Sequence, residues 1–120
     1  MQIRRMFPFV LVAATPSAFA SHMMCTFHSA GDPEYALEFL GYERVQQILF
    51  DLPGQGGAGS LRGGAYELLQ FDEQTRSIHL LYTTPGDSTL PPSFTLKGSG
   101  KDVRLSIGGK ALAGEFNCGL

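Results

Sequence analysis

From residue 66 to the end, the chain is cut into short apolar runs by polar or glycine-rich turns, a rhythm that admits little but antiparallel β-structure. Tyr66-Glu67-Leu68-Leu69-Gln70-Phe71 reads as a strand, Asp72-Glu73-Gln74-Thr75-Arg76 as a polar turn, and residues 77–83 as the returning strand of a hairpin. Asp72 and Glu73 are turn residues in this reading. Pro85-Gly86-Asp87-Ser88 marks a further turn, and Pro91-Pro92 prolongs the irregular stretch. Residues 93–96 open another strand, and Gly98-Ser99-Gly100-Lys101-Asp102 turn it. Val103, Leu105 and Ile107 then alternate with Arg104 and Ser106, the period of a strand with one face buried. Gly108-Gly109-Lys110 reads as a tight hairpin turn. Residues 111–118 close the domain, with Leu112 and Phe116 as core contacts.

Residues 32–52 carry two patterns. Asp32-Pro33-Glu34 has the makings of a helix start: a capping Asp, Pro at the first helical position and an acid in the first turn. The apolar residues that follow fit a helical stripe loosely, which allows one short helix near residues 33–48. As strands, Tyr35, Leu37 and Phe39 share one face, Gly41-Tyr42-Glu43 turns, and Ile48, Phe50 and Leu52 continue. The strand reading agrees with the rest of the chain. The expected fold is all-β: six to eight short strands in an antiparallel meander, closed into a barrel or folded as a sandwich.

The first twenty residues stand apart. Arg4-Arg5 give a positive start, residues 6–14 are almost wholly apolar, and Ala18-Phe19-Ala20 supply small residues where a signal peptidase needs them. The apolar run is shorter than the roughly twenty residues a membrane span requires. Residues 1–20 are therefore expected to be a cleaved signal peptide, and residues 21–120 a single β domain without a membrane anchor, located in the periplasm. Loss of Arg4 and Arg5 leaves seven basic residues against eleven acids, a formal charge of −4. That balance argues against nucleic acid as a partner and suits a cationic protein.

The chain has two cysteines, Cys25 and Cys118, near the two ends of the expected mature domain. In an exported protein the simplest reading is one disulfide tying the first strand to the last. Closing that loop of 93 residues (118 minus 25) stabilises by about 4 kcal/mol in the chain-entropy model. The other reading, a lipid-modified Cys25, sits badly with the bulky Met23-Met24 before it.

The oddest stretch is glycine-rich, running from Pro53 through Gly54, Gly56, Gly57 and Gly59 to Gly63-Gly64. It contains GxGxxG, but no helix pattern follows, as dinucleotide binding would demand. Neither Gly100-Lys101 nor Gly109-Lys110 completes a phosphate-binding loop. A flexible loop is one reading. A loop entering a partner's cleft is the other, since glycines allow close backbone approach.

At the end of that stretch, Arg62-Gly63-Gly64-Ala65-Tyr66 resembles the Ser-Gly-x-x-Tyr motif of the bacterial periplasmic inhibitors of c-type lysozyme, with Gly63 and Tyr66 at the matching positions. Arg62 stands where that family has Ser. Lys97-Gly98 resembles the family's second motif, at a wider spacing. The resemblance implies a small disulfide-closed β-barrel that pushes a motif loop into a lysozyme's active site, where a lysine helps engage the catalytic carboxylates. The expected partner-binding residues are thus Arg62, Gly63, Gly64, Tyr66 and Lys97, and the expected partner is a cationic peptidoglycan hydrolase. Immunity proteins against secreted cell-wall-cleaving toxins share this size and logic.

Other chemistry finds less support. His22-Met23-Met24-Cys25-Thr26-Phe27-His28 offers soft ligands of the kind copper takes, but a disulfide would withdraw Cys25, and no metal or cofactor is expected. His79 lies in a strand pattern without a nucleophile beside it, no GxSxG elbow occurs, and nothing brings two acids together. The chain is not expected to be an enzyme. The alternatives to an inhibitor are a β-barrel binding a lipid, glycan or metal, and an accessory protein of the envelope.

Overall fold

A computed structural model describes residues 22–53, 59–86 and 89–119. The expected signal segment and residues 54–58 of the glycine-rich stretch lie outside the described residues. The strands are β1 (Met23–Ser29), β2 (Ala36–Gly41), β3 (Val45–Asp51), β4 (Gly59–Ser60), β5 (Tyr66–Asp72), β6 (Ser77–Tyr82), β7 (Phe94–Ser99), β8 (Asp102–Ile107) and β9 (Lys110–Cys118). The described residues contain no helix. They form one antiparallel sheet in the order β4-β3-β2-β1-β9-β8-β7-β6-β5.

The expected all-β fold is therefore present, with nine strands among the described residues rather than six to eight, the extra one being the two-residue β4. The possible helix near residues 33–48 gives way to β2 and β3. Here Leu37 and Phe39 pair with Phe50 and Ile48 across the strands, and all four are buried. A helix would have spread these residues around its axis. Strand pairing puts them on one face and satisfies their backbone groups in the ladder. Asp32-Pro33, the sequence's helix-start signal, instead lies in the β1–β2 connection.

Period-two alternation separates the two faces of the sheet. One inner row crosses five strands as Leu68, Leu80, Leu96, Leu105 and Leu112. Parallel to it runs Tyr66, Tyr82, Phe94 and Ile107. The sheet curls so that its two ends face each other. Phe71 of β5 meets Phe39 of β2 at 5.7 Å and Phe116 of β9 at 6.0 Å between ring centroids. Phe39 and Phe116 are themselves edge-to-face at 5.4 Å, the arrangement aromatic quadrupoles favour. The result is a curled half-barrel whose interior is filled by side chains. Curling needs room on the inner face, and Gly114 provides it. A Cβ there would stand 2.6 Å from the Phe27 ring and collide with the His28 carbonyl.

The disulfide joins Cys25 and Cys118, which are directly opposed on β1 and β9. The first and last strands are thus neighbours in the middle of the sheet, and the edges are β4 and β5. A disulfide of this kind is consistent with an exported protein.

Candidate functional site

The two sheet edges follow one another in the chain, so residues 61–65 must cross the mouth of the half-barrel. This link carries the motif singled out in the sequence. It is stitched down at both ends. The Leu61 N–H donates to the Ile48 carbonyl of β3 at 2.9 Å, and the Thr83 N–H, just beyond β6, donates to the Ala65 carbonyl at 2.9 Å. Leu61 is buried in the core. Between these anchors the Ala65 N–H closes the turn on the Arg62 carbonyl at 3.1 Å.

Arg62, Gly63 and Gly64 are exposed at the crest of the turn. The two glycines have different reasons for being there. Gly64 has φ +90°, a region that side chains rarely enter. Gly63 has no positive φ, and a Cβ built on it meets nothing within 4 Å. The fold of the isolated chain explains Gly64 and leaves Gly63 without a structural reason.

Tyr66 begins β5 on the inner face, paired with Tyr82. It is half-buried and packs against the hydrophobic core. It also lines two open depressions on either side of the turn. One is bounded by Gly63, Gly64, Tyr66, Leu81, Thr83 and Pro85. The other is bounded by Gln46, Gln47, Ser60, Leu61, Gly63 and Tyr66, and there the Gln47 side-chain amide donates to the Ser60 hydroxyl at 3.2 Å. The turn is thus a ridge between two hollows, with Gly63 and Tyr66 shared by both.

Lys97 is elsewhere. It lies on the outer face of β7, opposite His79 of β6 and Arg104 of β8. One strand, β6, separates β7 from β5, and Tyr66 points to the inner face. The structure brings Arg62, Gly63, Gly64 and Tyr66 together and sets Lys97 apart from them.

The soft-ligand segment of β1 is also divided. Met24 is buried in the core, Cys25 is bound to Cys118, and exposed His28 stands beside Glu34 at 3.3 Å. The His22 ring lies edge-on to Tyr42 at 5.7 Å.

Charge is unevenly distributed along the chain, and the sheet order turns this into an uneven surface. Residues 21–60, which include β1 to β4, hold five acids and one basic residue, while residues 61–120 hold six of each. The net negative charge of residues 21–120 therefore sits on the β2–β4 side, and the turn 62–65 stands where that side meets β5. Leu61, the anchor of the turn, escaped the sequence reading because a lone leucine after a glycine run has no periodicity to mark it. Comparison with protein-family profiles, with curated proteins and with solved structures gives no match.

Proposed function

We propose that this chain is an exported, periplasmic binding protein that inhibits a lysozyme or related peptidoglycan hydrolase by presenting the turn 62–65 to its active-site cleft. The observation that carries the reading is Gly63: an exposed glycine that neither backbone conformation nor packing requires, on a turn held at both ends. A residue without a side chain at such a crest lets a partner's surface close directly onto the backbone. Pinning the turn lowers the ordering cost of binding.

The chemistry of the neighbours fits the same target. Glycosidase clefts of this kind carry two carboxylates, and the Arg62 guanidinium is suited to a bidentate charge-assisted pair with one of them. Tyr66 offers a rigid aromatic flank, held by its packing against the core. The acidic β2–β4 side would steer a cationic enzyme toward the turn. Lys97 is left out of the insertion, since it occupies the outer face of another strand. A signal peptide at residues 1–20 and the Cys25–Cys118 bridge belong to the same reading of an envelope protein.

The test is to titrate the oxidised domain into c-, g- and i-type lysozymes acting on bacterial cell walls. Stoichiometric inhibition of one type is expected. Arg62→Ala should weaken it about thirtyfold or more, the loss of a desolvated charge pair. Gly63→Trp should abolish it without lowering the melting temperature. Absence of inhibition across all three types would overturn the lysozyme reading. Inhibition unchanged by both variants would overturn the assignment to the turn.

A further inference from the structure

We infer that the outer face of β6, β7 and β8 is a second binding surface, one that takes an acidic polysaccharide. Its centre is a row in register across five strands: Gln70, His79, Lys97, Arg104 and Ala113. Lys97 and Arg104 are exposed and directly opposed on neighbouring strands. Like charges in that relation repel each other and weaken the pair of strands that carries them. Among the described residues neither is within ion-pairing distance of a carboxylate. The half-buried imidazole of His79 extends the row on the next strand. Neighbouring strands lie about 4.8 Å apart, so the row is a short linear array of nitrogen donors perpendicular to the strands.

The rows on either side set the class of ligand. One holds Ser77 and Ser99, the other Thr95 and Ser106. Hydroxyls therefore border Lys97 on both sides and Arg104 on one, with donors and acceptors suited to sugar hydroxyls. Acids share this face: Asp102 lies two residues along β8 from Arg104 and directly opposite Ser99, Asp72 opposite Ser77, Glu67 opposite Leu81, and Glu115 two residues along β9 from Ala113. A membrane would call for large apolar side chains to enter it. Among the described residues the exposed large hydrophobics are Tyr42, in the β2–β3 connection, and Leu69, beside Gln70 at the β5 end of the row. An exposed, hydroxyl-flanked pair of opposed cations suits a hydrated polyanion.

The experiment follows backbone amide shifts of the oxidised domain during titration with oligogalacturonate, with neutral maltooligosaccharide and phosphatidylglycerol vesicles as parallel arms. Oligogalacturonate should move the resonances of β6 to β8, with binding weakened by added salt as exposed charges are screened. Arg104→Glu is the decisive variant. It replaces two opposed cations with an opposite pair, so the fold should melt no lower than wild type while affinity falls at least tenfold. Lys97→Gln should also weaken binding, whereas Arg62→Ala should leave it unchanged. Wild-type affinity in Arg104→Glu, or shifts of equal size with the neutral oligosaccharide, would overturn the proposal. So would a response to the vesicles alone, which would make the strip a lipid contact.

Discussion

At the scale of single residues, two adjacent glycines differ in what the fold asks of them. Gly64 occupies a backbone region that a Cβ makes costly. Gly64→Ala should therefore destabilise the domain by about 1 kcal/mol, seen as a lower urea midpoint with an unchanged slope. Gly63→Ala has no such cost, because the added methyl group enters open space. It should leave stability equal to wild type or raise it by about 0.4–1 kcal/mol through a less flexible unfolded chain. If both substitutions destabilise equally, Gly63 serves the fold and loses its claim to a functional role. The sequence shows two glycines and cannot rank them, since φ depends on how residues 61–65 are fastened at either end. Tyr66 carries a related ambiguity. Its aromatic ring serves the core and flanks the turn at once, which single-residue reasoning would have treated as alternatives.

At the scale of the strand, alternation and turn chemistry made most elements readable. Asp72 accepts the N–H groups of Gln74 and Thr75 through its side chain, so the expected polar turn between β5 and β6 is held by a local hydrogen-bonded device. The turn between β7 and β8 is tighter than residues 98–102 suggest. Ser99 and Asp102 still pair, and only Gly100 and Lys101 form the connection. That tightness places Lys97 against Arg104, because both are equally far from the turn. The cationic row was in this sense present in the sequence, hidden by reading the turn as longer than it is. Strand β9 contributes a different constraint through Gly114. Gly114→Ala would press a methyl group into the Phe27 ring where β1 and β9 meet. Overpacking of this sort costs about 1–3 kcal/mol, and thermal unfolding of the variant checks it. An unchanged melting temperature would mean that the sheet's curl does not depend on this contact.

At the scale of the whole molecule, the disulfide joins the centre of the sheet, and the connection 61–65 joins its edges. Closing 93 residues with one covalent link removes unfolded-state entropy worth about 4 kcal/mol in the chain-entropy model. The Cys25→Ser, Cys118→Ser double variant should lose a stability of that order in urea titration, with the strand content of any remaining folded protein unchanged. A loss under about 1 kcal/mol would place the closure energy in the aromatic interior and not in the bridge. The sequence by itself determined the all-β class, most strand positions, the turn residues and the cysteine pair. These depend on local period, on φ preferences and on a two-member choice of partner. Only the tertiary structure decided that residues 32–52 are strands, because their two periodicities differ little until Leu37 and Phe39 meet Phe50 and Ile48 across the sheet. It also decided that Lys97 belongs with His79 and Arg104 and not with Arg62. Which side chains share a surface depends on register and curl, and these arise from contacts between residues far apart in the chain.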